Sequence, residues 1–320
     1  GLETLRFLLI STPFPPHHLG GDAVFVDYLS RALISRGHEV HVLHNPAVFE
    51  VIRENLVPPR EGQLSSGIQT HPYMPRLKRI DALNALMMGF WRKQKETTIS
   101  LAKSIRPEVV HWHNTRAFIG RPFIIGNETA LYTSHDYGSV CPRSNLMRPD
   151  LKMCVQPNMC TLCCLRWGKP PQLWRICSRR VLELPPAMRV IAPSEFVANR
   201  LREDGISKVN VLRNFVPDPS QDVPQSNQEP DSLIYLGMLE KHKGLHTLLE
   251  AFSNSSSQHG FVLDVVGTGS LASEVRREGA RSGIRDRIRI HGFLSRDAAE
   301  NLRRRATAQV VPSEWFENCP

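Results

Sequence analysis

Short unbroken apolar runs recur along the first two thirds of the chain, at residues 5–11, 40–43, 108–111, 130–133 and 189–192. Runs of this length without polar alternation are the pattern of parallel strands buried on both faces. Between the first two lies a stretch of helical period, 22–36, in which Phe25, Leu29, Ala32 and Leu33 share one face. Gly37 follows it where a C-terminal cap belongs. Strand, glycine-rich loop, helix, glycine and strand make a βαβ unit. A long helical region is expected over 77–105.

After residue 216 the pattern lapses. Residues 217–231 are rich in Pro, Ser, Gln and Asp and read as an interdomain linker. Alternation then resumes, with strands expected at 232–236, 261–266, 287–291 and 308–311 and helices at 244–252, 270–280 and 295–305. Two serial sets of βα units predict an α/β protein of two doubly wound, Rossmann-like domains, 1–216 and 232–320. Ligands in such sheets bind beyond the carboxyl ends of the strands. The last strand runs into Pro312-Ser313-Glu314-Trp315-Phe316-Glu317-Asn318-Cys319-Pro320 with no covering helix, so the second domain is expected to be cut short.

Composition adds limits. The chain has 320 residues and a formal net charge of +9. No apolar run approaches the roughly 20 residues that cross a bilayer. Residues 5–11 are too short for a signal peptide, so a cytoplasmic location is expected. The basic excess suits phosphorylated or anionic partners, but no RNA-recognition signature accompanies it, and nucleic acid is not expected. Six of the seven cysteines fall between Cys141 and Cys177.

Three loops carry candidate chemistry. Gly20-Gly21 stands immediately before a helix, where free N–H groups and bare backbone receive phosphate; a plain turn has the same look. Gly267-Thr268-Gly269 repeats the arrangement, without the third glycine of a dinucleotide fingerprint. Gly237 and Lys243 bracket a loop that opens a helix, where a lysine acts as a point charge toward a diphosphate or is simply solvated.

Taken in order, these segments resemble family 4 (group 1) retaining glycosyltransferases. The resemblance rests on Gly20-Gly21, Gly37-His38-Glu39-Val40, Val110-His111-Trp112-His113, Ala192-Pro193-Ser194-Glu195-Phe196-Val197 and Asn214-Phe215-Val216-Pro217. It continues through Tyr235-Leu236-Gly237, Lys243-Gly244, Val266-Gly267-Thr268-Gly269, His291-Gly292-Phe293 and Pro312-Ser313-Glu314-Trp315-Phe316-Glu317. It implies a GT-B fold with the two domains facing each other across a cleft. It implies a nucleotide-diphosphate sugar donor held by Gly20, Gly21, Gly237, Lys243, Gly267, Gly269 and Phe293. It also implies a glycan or lipid-linked acceptor, cell-envelope polysaccharide synthesis, and catalysis that needs no cofactor. Met238 stands where the family places an arginine. Glu317 matches the sugar-facing glutamate, with Glu314 the poorer fit, and the family's ribose-binding glutamate falls past Pro320. A chain ending there is expected to be nearly inactive. With one residue between them, His111 and His113 are expected to project to opposite sides, and the resemblance favours His113 as the catalytic one. His135, Asp136 and Arg143 are acceptor-side candidates.

The cysteines leave three readings open. Cys141, Cys154, Cys160 and Cys163 can supply four thiolates to a structural zinc, the second pair as a CxxC element; they can be reduced and merely buried; or they can be redox-active or paired in disulfides. For 77–105, Leu83, Leu86, Met87, Phe90 and Trp91 beside Arg76, Lys78, Arg79, Arg92, Lys93 and Lys95 fit either an anionic membrane surface or a packed helix with solvated charges.

Overall fold

The structure, a computed structural model, describes residues 3–17, 20–52, 67–89, 92–155, 159–175, 182–216, 231–281 and 287–318. The chain divides into two compact units near residue 217. Residues 217–230 of the expected linker lie outside the described residues, as do Phe90, Trp91, Cys177 and Cys319.

The first unit is wound on a parallel sheet. Its elements are β1 (Arg6–Ile10), α1 (Gly21–Ser35), β2 (Glu39–His44), α2 (Pro46–Ile52), β3 (Ile68–Pro72), α3 (Lys78–Met88), α4 (Arg92–Ile105), β4 (Val109–Trp112), β5 (Thr129–Thr133), α5 (Cys160–Arg166), β6 (Arg189–Ala192), α6 (Glu195–Glu203) and β7 (Val209–Val211). The strand order is β3-β2-β1-β4-β5-β6-β7. Winding therefore reverses between β1 and β4, the doubly wound arrangement. Leu8, Leu9, Ile10, Val40, Val42 and Val110 are fully buried, as apolar runs covered on both faces require. Helix α1 ends in a Schellman motif: Gly37 N–H donates to the Ile34 carbonyl at 2.9 Å and His38 N–H to Leu33 at 3.1 Å, with Gly37 at φ +84°.

The second unit repeats the plan with β8 (Ser232–Leu236), α7 (Leu245–His259), β9 (Val262–Val266), α8 (Ala272–Arg281), β10 (Ile288–Gly292), α9 (Arg296–Arg305) and β11 (Ala308–Gln309), in strand order β10-β9-β8-β11. Its core gathers Tyr235, Leu245, Leu249, Phe252, Leu263 and Val265. Asp264, buried within β9, accepts from Ser232 Oγ at 3.1 Å, Arg289 at 2.9 Å and His291 Nε2 at 2.6 Å. One carboxylate thus ties three neighbouring strands through charge-assisted bonds.

Two expectations need correction. Edge strands β3 and β7 were not expected; the first is polar (IQTHP) and the second only three residues long. An edge strand has neither the length nor the two-sided burial that makes a central strand readable. The single helix expected over 77–105 is two helices. Gly89 ends α3 in the left-handed region at φ +89°, and Gly120 N–H donates to its carbonyl at 2.5 Å. A Cβ at Gly89 would lie 2.8 Å from the Trp174 ring. Trp174 also donates through Nε1 to the Leu86 carbonyl at 3.1 Å, so the break is where a later loop packs into the helix.

Gly89→Ala combines a strained φ with a clash against a ring held in place. It is expected to destabilise the first unit by about 1–3 kcal/mol, read as a lower urea midpoint. An unchanged midpoint would show that the Gly89–Trp174 contact does not set the break.

Candidate functional site

In the first unit the loops that follow β1 and β4 are stitched together where the winding reverses. Thr12 N–H donates to the Asn114 carbonyl at 2.6 Å, and Thr12 Oγ1 to the Arg116 carbonyl at 2.9 Å. Asn114 Nδ2 reaches Asp22 Oδ2 at 3.0 Å, joining this loop to the start of α1. Gly20 is the extended N-cap of α1, and a Cβ there would meet Asp22 Oδ1 at 2.9 Å. Gly21 has open space around it. The two glycines are therefore not equally constrained.

His111 and His113 lie on the same side of the sheet, with ring centroids 4.1 Å apart. The expectation of opposite sides is wrong, because side chains alternate along a strand and positions i and i+2 share a face. His113 Nδ1 and His135 Nε2 are hydrogen-bonded at 2.9 Å, and His111 Nε2 pairs with Thr133 Oγ1 at 2.7 Å. His113 is fully buried, and its Nε2 has no hydrogen-bond partner among the described residues. Burial pushes His111 down to about 3 and His135 to about 4, and it drives His113 well below the usual imidazole value. The neighbouring Asp22 carboxylate pulls His135 the other way. All three rings are neutral at pH 7.

Asp136 caps the turn that follows β5, accepting from Gly138 N–H at 2.6 Å. Burial raises its carboxyl, and the Arg116 guanidinium opposes this. Arg116 donates to Ser144 Oγ at 2.7 Å. Arg175, almost completely buried, donates to the carbonyls of Gly138 at 2.6 Å and Ser139 at 2.8 Å, holding the same turn. Asp22, Asn114, Arg116 and Arg175 were not singled out from the sequence. Asp22 and Asn114 adjoin motifs that were, but Arg175 gave no signal. Arg143 lies over the Trp167 ring at 4.7 Å. Cys141, Cys154, Cys160, Cys163 and Cys164 form no disulfide with one another.

In the second unit the loops after β8, β9 and β10 touch backbone to backbone. Gly237 N–H donates to Val266 at 3.1 Å, Leu239 N–H to Thr268 at 2.9 Å and Gly267 N–H to Gly292 at 2.8 Å. A Cβ at Gly267 would run into the Gly237 carbonyl, and one at Gly269 into that of Leu239. These glycines thus serve close loop packing, whatever else they bind. Glu240 accepts from Ser270 N–H at 3.1 Å and Oγ at 2.7 Å, a carboxylate at the entrance to α8. Phe293, just past β10, is partly exposed.

Lys243 and Glu317, far apart in sequence, meet where β8 and β11 adjoin. Lys243 Nζ donates to Glu317 Oε1 at 2.7 Å and lies 4.6 Å from the centre of the Trp315 ring. Ser313 Oγ donates to the same carboxylate oxygen at 2.5 Å. Burial alone would raise the Glu317 carboxyl; hydrogen bonds from Lys243, Ser313 and Trp315 outweigh it and hold the group below its usual value. Gly244, at φ +70°, lets the chain pass against the Pro312 carbonyl. Glu314 is engaged elsewhere, accepting from Thr247 Oγ1 at 2.5 Å. Met238, where an arginine was expected by resemblance, is half-exposed, and its carbonyl accepts from Tyr235 Oη at 2.8 Å.

The buried histidines fix a pH response. Their folded values lie below the unfolded value of about 6.5, so the unfolded chain binds more protons in between. Their contribution is complete above about pH 6.5 and is lost as pH falls toward 4, by up to about 1.4 kcal/mol per pH unit for each ring. Denaturation of the first unit at pH 7.5 and 5.5 should show the loss, and His135→Gln should reduce it by the share of one ring. Equal stability at both pH values would contradict the assignment.

Residues 19–218 match the family model described as Glycosyltransferase Family 4, and residues 218–320 that of Glycosyl transferases group 1. Glycogen synthase of Mycobacterium tuberculosis (strain CDC 1551 / Oshkosh) is 22% identical, over 97% of this chain and 73% of its own. WaaG, a glycosyltransferase involved in lipopolysaccharide biosynthesis, superposes with a TM-score of 0.60 at 15% identity, covering 97% of this chain and 75% of that one. Anabaena HepE in complex with UDP and glucose gives 0.53 at 15% identity, covering 97% and 74%. Those structural likenesses carry the GT-B fold, in agreement with the two parallel sheets. The chain belongs to the family 4, group 1 glycosyltransferases.

Proposed function

We propose that this chain is a retaining glycosyltransferase that moves a sugar from a nucleotide-diphosphate sugar to a glycan or lipid-linked acceptor in cell-envelope polysaccharide synthesis. The observation that carries the reading is the Lys243–Glu317 pair at the winding reversal of the second unit, where open α/β sheets hold their ligands. HepE, bound to UDP and glucose, supports a nucleotide-sugar donor. In this reading the Lys243 ammonium turns to the donor diphosphate and stabilises the charge that develops as the sugar–phosphate bond breaks. Glu317, already ionised and fixed by Ser313, receives the donor sugar's hydroxyls. Gly237, Gly267, Gly269 and Phe293 shape the donor pocket, and the family resemblance assigns Gly20-Gly21 to donor binding as well.

Transfer with retention then proceeds by front-face attack. The acceptor hydroxyl adds to the anomeric carbon on the face the diphosphate leaves, and the departing phosphate oxygen takes its proton. No protein nucleophile is needed, and Lys243 supplies the positive charge without a divalent ion. His113 offers its unpartnered Nε2 to a sugar hydroxyl, which would relieve the roughly 1–3 kcal/mol cost of leaving that atom unsatisfied. His135 fixes the ring, and Asp136 and Arg143 serve the acceptor side. A second reading, a sugar-nucleotide-binding module without turnover, is favoured by Met238 alone. Release of nucleotide from a panel of donors separates the two.

Among the described residues no helix is long and apolar enough to cross a membrane. Met74, Leu77, Ile80, Leu83 and Met88 are nonetheless exposed on and just before α3, beside Arg76 and Arg79. This amphipathic basic surface suits peripheral attachment to an anionic membrane face, where a lipid-linked acceptor resides.

Lys243→Ala should cost about 2–4 kcal/mol of transition-state stabilisation, roughly a hundredfold or more in kcat. Met238→Arg should leave turnover equal or higher. An unchanged rate in Lys243→Ala would remove the lysine from the reaction. His113→Ala should lower turnover and also stability, by about 1–3 kcal/mol, since it empties a fully buried site and strips His135 of its partner.

A further inference from the structure

Among the described residues no group of three or more His, Cys, Asp or Glu side chains is placed to hold a metal ion, the five described cysteines between β5 and β6 included. That segment contributes something else to the first unit, a guanidinium buried beside the turn that follows β5. Arg175 ends the short helical turn Leu173–Arg175 and is only 4% exposed. Burial draws it down to about 10, so it is still a cation at neutral pH. A buried charge is costly unless its donors are met, and here three carbonyl oxygens meet them. Arg175 donates from one terminal nitrogen to Gly138 at 2.6 Å and to Gln172 Oε1 at 3.1 Å, and from the other to Ser139 at 2.8 Å.

The two backbone carbonyls belong to the turn Tyr137–Ser139. Within it the Tyr137 carbonyl accepts from Val140 and Cys141 N–H, at 3.0 and 2.7 Å, while those of Gly138 and Ser139 are met from the later segment. Leu182 N–H shares Ser139 with Arg175, at 2.6 Å, and Gln172 Nε2 donates to the Pro142 carbonyl at 3.1 Å. The same turn carries the candidate chemistry on its leading residues. Asp136 caps it, Ser134 Oγ donates to the Asp136 carbonyl at 2.8 Å, and His135 Nε2 meets His113 Nδ1 at 2.9 Å. Arg175 stands on a fixed base. Trp174 donates to Leu86 of α3 and packs against Gly89, and its own carbonyl accepts from Arg121 at 3.1 Å. What spans the two carbonyls is one rigid planar fork, which the single ammonium of a lysine does not reproduce.

We propose that Arg175 is a positioning residue: its grip on the Gly138 and Ser139 carbonyls sets where His135 and Asp136 stand and, through His135, how the His113 ring is turned. This rests on the proposed function, in which His113 and Asp136 meet the substrates and His135 fixes the ring. Arg175 itself touches neither substrate nor the reacting atoms. A hydrogen bond between two neutral imidazoles needs one ring as donor and the other as acceptor. It weakens steeply as the rings leave alignment, and the choice of tautomer goes with it. A turn released from the fork therefore disturbs the imidazole pair, whereas loss of an arginine that only packs would leave the pair as it is.

The test compares the unaltered chain with Arg175→Lys, which keeps the charge and loses the fork, and with Arg175→Met. In chain labelled with ¹⁵N at histidine, the ring nitrogens that join His113 and His135 are identified by their change in His135→Gln. Both Arg175 variants should move those signals toward the values of unbonded rings. With the donor that the panel of sugar nucleotides selects, kcat should fall about tenfold to a hundredfold while the donor KM stays within about twofold, since Lys243 and Glu317 are untouched. Arg148→Met, which removes an exposed arginine paired with Asp150, should change neither readout. Either readout unmoved in Arg175→Lys overturns the proposal, even where the urea midpoint falls. Should Arg175→Met not fold, Arg175→Lys decides alone. A chain that turns over no donor refutes the proposed function instead, and the imidazole signals then decide on Arg175.

Discussion

Both units depend on the same topological constraint. A parallel sheet wound in two directions must reverse its winding between one pair of neighbouring strands, and there the outgoing loops diverge to opposite faces. The reversal falls between β1 and β4 in the first unit and between β8 and β11 in the second. At the first, Asp22, Asn114 and His113 collect; at the second, Lys243, Ser313 and Glu317. None of these groupings is local in sequence. Each follows from where the chain changes direction.

The two collections differ in electrostatic character. In the first unit three imidazoles packed together share one consequence of burial: none can afford a charge, so they act only through hydrogen bonds. In the second, Lys243 and Glu317 form a hydrogen-bonded ion pair that Ser313 joins, and these bonds hold the glutamate below its usual value. A partly buried pair of this kind contributes little net stability, since desolvation offsets most of the attraction. In the proposed reaction its value is readiness: a donor diphosphate would take over the lysine while the glutamate stays anchored by Ser313. Glycines at 244, 267 and 269 bring the supporting loops close enough for this, because any side chain there would collide with a neighbouring carbonyl.

Much of this was legible in the chain. Central strands were readable because burial on both faces leaves an unbroken apolar run, and α1 because its apolar period ends on Gly37. The polar edge strand β3 and the three-residue β7 were not, since an edge lacks that signature. The helix break at Gly89 depends on Trp174, which no periodicity near Gly89 encodes. The placement of His111 and His113 on one face was available from the two-residue period and was misjudged. Lys243 and Glu317 were each recognisable by resemblance, but their pairing required the order of strands. Which cysteines share a cavity also required the fold, because spacing alone does not separate Cys163 from Cys164.

The central claim is that Lys243 and Glu317 work as one unit at the donor. A double-mutant cycle on kcat/KM with Lys243→Ala, Glu317→Gln and the combined variant tests it most directly. Groups in contact and serving one step should be strongly non-additive, so the double variant should lose little more than the worse single one, with a coupling of at least about 1 kcal/mol. Losses that simply add, or a Lys243→Ala enzyme as fast as the unaltered one, would contradict the account.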